Sequence, residues 1–257
     1  MQNFALVVLS CDRYADLREG FFHQLQSNLD IPTKKYLISN FFQYQGPIAD
    51  QIQTICVGEE NNWSETIQKS LSQIKEEKIL VIAENCFIAK KINSTSFLKH
   101  IDFAFAQDTQ LIQLEYSPGS VLCGYQDYGY CPAGMTYLIG VCGIWDKKYL
   151  ASLLLPGENP RQFEVNGSYR AQFSAQRVHC PQEPLLNFRN IVQKSAWVAI
   201  NVRWARQNRI LPKTELRSFQ ISFSPLLKYV YFKALQHLPW RIRVLALNLW
   251  RKILVSY

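Results

Sequence analysis

Between Ile79 and Ala83 lies an apolar run, preceded by Lys78, that stops on a carboxylate, Glu84, and an amide, Asn85. Five apolar residues bounded by charge read as a strand buried on both faces of a parallel sheet, although periodicity alone does not exclude a helix. Open α/β sheets bind ligands at the carboxyl ends of their strands, so Glu84 and Asn85 would stand where a ligand or a metal is met. A strand that simply exits to a polar loop has the same sequence. A second chemical signal lies in residues 117–135, which hold four Gly, two Pro and the tyrosines Tyr125, Tyr128 and Tyr130 with almost no periodicity. A loop of that length is either a binding loop, its Tyr rings stacking on a sugar or base, or an irregular surface segment.

Other chemistries leave no trace. The four histidines, His23, His100, His179 and His237, have no paired metal spacing, and no Gly-rich phosphate loop, Ser-His-Asp signature or zinc signature is present. Seven cysteines, an odd number with no Cys-x-x-Cys pair, predict a reducing compartment and buried thiols. A Cys123–Cys131 bridge is geometrically conceivable.

The elements that would position these groups follow from the hydrophobic pattern. Residues 4–10 form a first apolar strand, and Asp16 is placed to cap a helix reaching Leu29 with Leu17, Phe21, Leu25 and Leu29 on one face. Strands follow over 35–39 and 53–58, and a helix beginning at Ser64 carries Ile67, Leu71 and Ile74 into the run at 79–83. A helix over 96–106, strands over 110–116 and 137–142, a helix capped by Asp146, a turn at 156–160 and a helix over 162–173 complete the series, with short strands over 177–180 and 188–192. Alternation of this kind predicts an α/β fold, a mostly parallel sheet flanked by helices.

The chain has 257 residues and a formal charge of +8, distributed unevenly. Residues 201–257 hold eleven Lys or Arg against Glu215 alone, whereas residues 1–200 are close to neutral. Two domains are therefore expected: a body over 1–200 and a basic helical extension over 201–257. In the extension Ser224-Pro225 starts one helix and Pro239 opens another, 240–257, with Arg241, Asn248, Arg251 and Lys252 on one arc and Trp250 among aliphatics opposite. A basic amphipathic helix of this kind suits an anionic membrane surface, contacted through residues 225–257; packing on the body or a homodimer contact is the alternative. Nucleic acid is not expected as a partner, because the extension is rich in aliphatics and has no nucleic-acid motif. No run of about 18 apolar residues suggests a membrane span, and the N-terminus does not read as a signal peptide.

Four segments together resemble bacterial glycosyltransferases of GT-A type from capsule, O-antigen and exopolysaccharide synthesis. They are Ser10-Cys11-Asp12-Arg13-Tyr14 with Asp16-Leu17; Gly58 with Trp63-Ser64; Ile144-Trp145-Asp146-Lys147 with Tyr149-Leu150; and Leu155-Pro156-Gly157-Glu158-Asn159-Pro160 with Phe163-Glu164. Their order and spacing, across about residues 4–200, carry the similarity. The resemblance implies a GT-A-like, Rossmann-like sheet and transfer of a sugar from a nucleoside-diphosphate donor, UDP-linked by expectation. The acceptor would be a glycan or lipid-linked glycan, met by a cytoplasmic protein peripheral on the inner face of the cell membrane.

It also implies roles for residues. Ser10, Asp12 and Arg13, with Glu84 and Asn85, would bind the donor: Asp12 a ribose hydroxyl or uracil N–H, Arg13 a phosphate. The resembling enzymes hold Mg²⁺ or Mn²⁺ on a pair of aspartates at the end of the fourth strand, and this chain has Glu84 and Asn85 there instead. With one charge fewer, the cation is held more weakly, or Arg and Lys replace it, or catalysis is lost and the chain is a glycosyltransferase-like binding subunit. For inverting transfer Glu164 is the expected general base, with Asp146 and Glu158 next in line. Tyr125, Tyr128 and Tyr130 would face the acceptor.

Overall fold

Strand formation is dictated where apolar residues run without interruption, and the computed structural model places those runs at the centre of one sheet. It describes residues 3–59, 62–115, 121–122, 127–130, 139–174, 177–193, 195–211 and 217–220, with isolated positions between 234 and 249. The first half comprises β1 (Phe4–Leu9), a 3₁₀ turn (Asp12–Leu17), α1 (Arg18–Asn28), β2 (Lys34–Ser39), β3 (Ile52–Cys56), α2 (Trp63–Leu71), β4 (Lys78–Ala83), β5 (Cys86–Ile88) and α3 (Ser94–Ala106). Then come β6 (Leu111–Gln113), β7 (Val121–Leu122), β8 (Tyr128–Tyr130), β9 (Gly143–Asp146) and α4 (Lys147–Leu153). The helical stretch α5 (Pro160–Gln162) passes through a π turn (Phe163–Gly167) into α6 (Ser168–Ser174). Last are β10 (Val178–Pro181), β11 (Phe188–Asn190), β12 (Val192–Gln193), β13 (Ala196–Val198), α7 (Ala199–Gln207) and β14 (Phe219–Gln220).

Nine strands make the main sheet in the order β3-β2-β1-β4-β9-β6-β10-β8-β7. β3, β2, β1 and β4 are parallel, β9 runs antiparallel between β4 and β6, and β10 is parallel to β6. Side chains alternate between two cores. Phe4, Leu6, Val8, Leu80 and Ile82 pack with α1 and α3, while Ala5, Val7, Ile79 and Val81 pack with α2, α4 and the π turn. The predicted α/β fold with helices on both faces is therefore the observed one, for the physical reason that each central strand must be apolar on both sides.

Several boundaries differ from the sequence reading. The strand expected over 137–142 begins instead at Gly143, where a Cβ would come within 2.6 Å of the Leu111 side chain and 2.8 Å of the Trp145 ring nitrogen. The tyrosine-rich stretch contains β7 and β8, which extend the sheet edge by antiparallel pairing on β10, so it is not a loop throughout. α2 is capped by Asn62, whose side chain accepts from the Glu65 amide, rather than by Ser64. Ser64 is buried and donates to the Leu155 carbonyl at 2.5 Å. The division at residue 200 falls inside α7, whose Val202 and Ala205 join the core with Ile210 and Leu211. The predicted helices over 226–238 and 240–257 lie largely outside the described residues.

Gly20 is the point where α1 accepts this last segment. A Cβ there would lie 2.3 Å from the backbone oxygen of Ile210, a contact that no side-chain rotation relieves. Gly20→Ala is expected to cost about 1–3 kcal/mol through overpacking, read as a lowered midpoint in urea. An unchanged midpoint would mean that α1 and residues 205–211 separate without cost.

Candidate functional site at the β1–β4 switch point

From β1 the chain winds outward through β2 and β3, then returns to place β4 on the other side of β1. Crossovers diverge there, and in open α/β sheets a crevice forms outside the carboxyl ends of the two strands. Ser10 follows the end of β1 and Glu84 the end of β4, held level by the Glu84 amide donating to the Leu9 carbonyl at 3.0 Å.

Glu84 is 1 % exposed. Its Oε2 shares a close hydrogen bond with the Ser10 hydroxyl. Its Oε1 faces the Arg18 Nε at 3.7 Å, too far for a hydrogen bond, and neither atom has another partner among the described residues. Burial therefore dominates over the Ser10 bond and the Arg18 charge, and the carboxyl's pKa is pushed up to about 8. Asn85 faces inward to the chain itself. Its Nδ2 donates to the Val192 carbonyl at 3.0 Å, and its backbone oxygen accepts from Ile191.

Asp12 opens the 3₁₀ turn after β1 and fastens the loop that follows β2. Its Oδ1 accepts from the Ser39 hydroxyl at 2.6 Å and from Arg18 at 3.3 Å, and its Oδ2 accepts from the Phe41 amide at 2.9 Å. Burial alone would raise its pKa, but the Ser39 bond, the Phe41 and Phe42 amides and Arg18 outweigh it and hold it below the usual carboxylate value. Arg18 also donates to Ser39 and to the Phe42 carbonyl. The consequence is that the Phe41 and Phe42 rings, 64 % and 63 % exposed, stand out at the rim of the crevice.

Arg217 arrives from the far end of the sequence. Its guanidinium forks onto both oxygens of Asp16, donates to the Arg13 carbonyl at 2.7 Å, and lies over the rings of Tyr14 and Trp197 at 5.3 and 4.9 Å. Asp16 is thus a salt-bridge partner rather than a helix cap. Arg13 itself is exposed at the mouth.

The fold is similar to that of solved S. aureus TarS. TarS residues 1–349 match at 11% identity over 72% of this chain and 59% of that chain, with a TM-score of 0.48. A complex of the same fragment with UDP-GlcNAc matches at 10% identity over 83% and 68%, with a TM-score of 0.49. Full TarS matches at 10% identity over 76% of this chain, with a TM-score of 0.49, and this chain spans 59% of the TarS 1–349 chain and 37% of full TarS. No family model matches the sequence, and no curated protein matches it.

Glu164 lies in the π turn, an irregularity often found at functional sites. Its carboxylate is partly exposed and pairs with Arg161 at 3.2 Å. The Cys86 thiol, two residues after Glu84, is pushed up by a hydrogen bond with Cys142 and by burial, and also by the negative charges of Glu115 and Glu164. The turn is held by Glu158, which has a different task from the one expected. Buried, it receives Arg170 at 2.6 and 2.8 Å and Asn166 at 3.1 Å, and these bonds offset burial to keep its pKa low. Gly157 makes the preceding bend at φ +84, where a side chain would be strained. Trp63, Trp145 and Phe163 meet ring to ring at 5.5 and 6.5 Å, so three of the resembling segments form one packing hub beneath Glu164.

Asp146 lies elsewhere. It pairs in register with Lys78 at the opposite end of β4, about 20 Å from Glu84 at strand rise. There it caps α4 through the Tyr149 amide and binds Lys78 at 3.2 Å, lining a polar cleft of ≈ 370 Å³ with Asp108, Lys148 and Arg177. Tyr128 is buried rather than offered to an acceptor: it stacks on Phe103 at 4.3 Å and bonds His100. The Tyr130 side chain and all of Tyr125 lie outside the described residues.

As a cation site the crevice is a poor match. A hard cation needs several oxygen ligands free to turn toward it, whereas the Glu84 carboxyl is closed off and the Asn85 amide is committed to the backbone. Among the described residues no group of three or more His, Cys, Asp or Glu could hold a metal. Sequence reading missed Arg18, Ser39 and Arg217. Only Arg18 left a signal: it stands at i to Phe21, Phe22 and Leu25, a charge on the apolar stripe of α1, which requires a buried partner.

Proposed function

We propose that the chain transfers a sugar from a nucleoside-diphosphate donor to a glycan or lipid-linked glycan acceptor at the β1–β4 crevice. The observation that carries this reading is the switch-point crevice, with Arg13 exposed in the turn after β1 and exposed Phe41 and Phe42 in the loop after β2. The flat Phe rings would receive a base, and Arg13 a phosphate. In the reaction the acceptor oxygen bonds to the anomeric carbon as the carbon–phosphate oxygen bond breaks. The electron pair leaves on the diphosphate, and Glu164 takes the acceptor proton. UDP is the expected nucleotide.

Glu164→Gln keeps the size of the side chain and removes the base. The variant is expected to lower kcat by about 10²–10⁴-fold while UDP binding, measured by calorimetry, stays within about threefold. Wild-type turnover in the variant would remove Glu164 from the mechanism. A second reading, a catalytically degenerate binding subunit, draws support from the closed Glu84 carboxyl; donor hydrolysis that disappears in Glu164→Gln rules against it.

Attachment at a membrane surface belongs to the same proposal. Leu238, Ile242, Leu245 and Leu249 are exposed, at spacings of four, three and four, in a stretch whose charged side chains are all basic. No helix among the described residues is long and apolar enough to cross a membrane.

A further inference from the structure

At the β1–β4 crevice the side chains expected to hold a cation, Glu84 and Asn85, and Asp12 beside them are drawn into the protein's own contacts. Both Asp12 oxygens accept hydrogen bonds from Arg18, Ser39 and the Phe41 and Phe42 amides. Glu84 is closed beneath Ser10 and beside Arg18. Asn85 ties the β4 end to β12 and takes a weak bond from the Cys86 thiol at 3.8 Å on its Oδ1. Turning the Asp12 oxygens or the Ser10-bound oxygen of Glu84 toward a metal would break bonds that hold the crevice in shape, and the other Glu84 oxygen is buried facing the positive charge of Arg18.

Three arginines gather there, two of them paired with Asp12 and Asp16 and the third, Arg13, exposed. Arg18 lies under the crevice floor, Arg13 projects from the end of β1, and Arg217 is brought in by Asp16, Tyr14 and Trp197. The Asp16 and Arg13 bonds use three of the five guanidinium N–H groups of Arg217. By gripping the Arg13 carbonyl, Arg217 also fixes the backbone from which the Arg13 side chain reaches out.

We infer that the pyrophosphate of the donor is held without a bridging divalent cation, its charge met by the Arg13 guanidinium with Arg217 behind it. The inference rests on the nucleotide-donor reading above. A guanidinium fork matches two phosphate oxygens at once, and a charge fixed in place stabilises the leaving diphosphate as its negative charge develops. Arg217, its own charge met by Asp16, acts as a positioning residue for Arg13.

The test is calorimetric titration of UDP into the full chain in excess EDTA, in Mg²⁺ and in Mn²⁺. UDP is expected to bind in all three buffers with Kd values within about threefold of one another. Arg13→Ala, an exposed substitution, should weaken UDP by about tenfold or more with an unchanged Tm, and Arg13→Lys should recover only part of the loss. UDP binding that tightens tenfold or more with Mn²⁺ or Mg²⁺ overturns the inference but leaves the nucleotide reading standing. UDP binding in none of the buffers overturns both. Arg13→Ala binding UDP like the wild type overturns the assignment to Arg13.

Discussion

Asp12→Ala lowers the melting temperature by roughly 5–10 °C, the largest stability loss expected from a single polar substitution in the crevice. Its carboxylate accepts from Ser39, Arg18 and two backbone amides, and its side chain is only 16% exposed. Removing it leaves Arg18, 4% exposed, without its nearest carboxylate. Breaking a fully buried pair costs about 3–5 kcal/mol, and partial exposure of Asp12 reduces this to roughly 2–4. In a domain of this size each kcal/mol moves Tm by about 2–4 °C. The effect should be coupled: in an Arg18→Met background Asp12→Ala is expected to cost about 1–3 kcal/mol less. A double-mutant cycle by urea denaturation measures that difference, and strict additivity would show that the two side chains do not act together.

Glu84→Gln is expected to stabilise the protein at pH 8 and to do little at pH 4.5. The unfolded chain ionises this carboxyl near its ordinary value of 4.5, whereas burial in the folded state delays ionisation to about 8. Between those values the folded state holds the extra proton, so stability falls as pH rises, at up to about 1.4 kcal/mol per pH unit. Below 4.5 both states are protonated and the cost vanishes. Glutamine carries the neutral form at every pH, so the difference in unfolding free energy between variant and wild type should grow from near zero at pH 4.5 to a few kcal/mol at pH 8. Asp12 and Glu158 act with the opposite sign: their lowered pKa values give stability that is lost as pH falls through the acid range. Their contribution is common to both proteins and cancels in the difference. A Glu84→Gln variant less stable than wild type at pH 8 would show that Glu84 is ionised and paired with Arg18.

Different crevice residues serve the fold and a ligand. Asp12 and Glu84 are tied into the protein and set the shape of the crevice. Arg13, Phe41 and Phe42 present surface at its mouth. The charge that meets a donor therefore comes from side chains the protein leaves exposed, not from the carboxylates that stand at the strand ends.

How much of this was legible beforehand depended on range along the chain. The run from Lys78 to Ala83 had to be a central strand, because unbroken apolar residues are stable only with both faces covered. The cap of α4 by Asp146 was readable too, since capping acts across three residues, whereas Asn159, read as part of a turn, caps α5. From the same local pattern came the polar exit at Glu84 and Asn85. Sequence did not disclose that the Glu84 carboxyl turns inward, because that depends on Ser10 and Arg18, 74 and 66 positions away. Nor could it separate Asp146 from Glu84, since strand direction and register place them at opposite ends of β4. Arg217 meets Asp16 across 201 residues, a pairing with no periodic trace in either segment. Local sequence determined the central strands, the cap of α4 and the edge at which a ligand would be met. Burial and long-range pairing, which exist only once the chain is packed, decided which of those polar groups remain available to it.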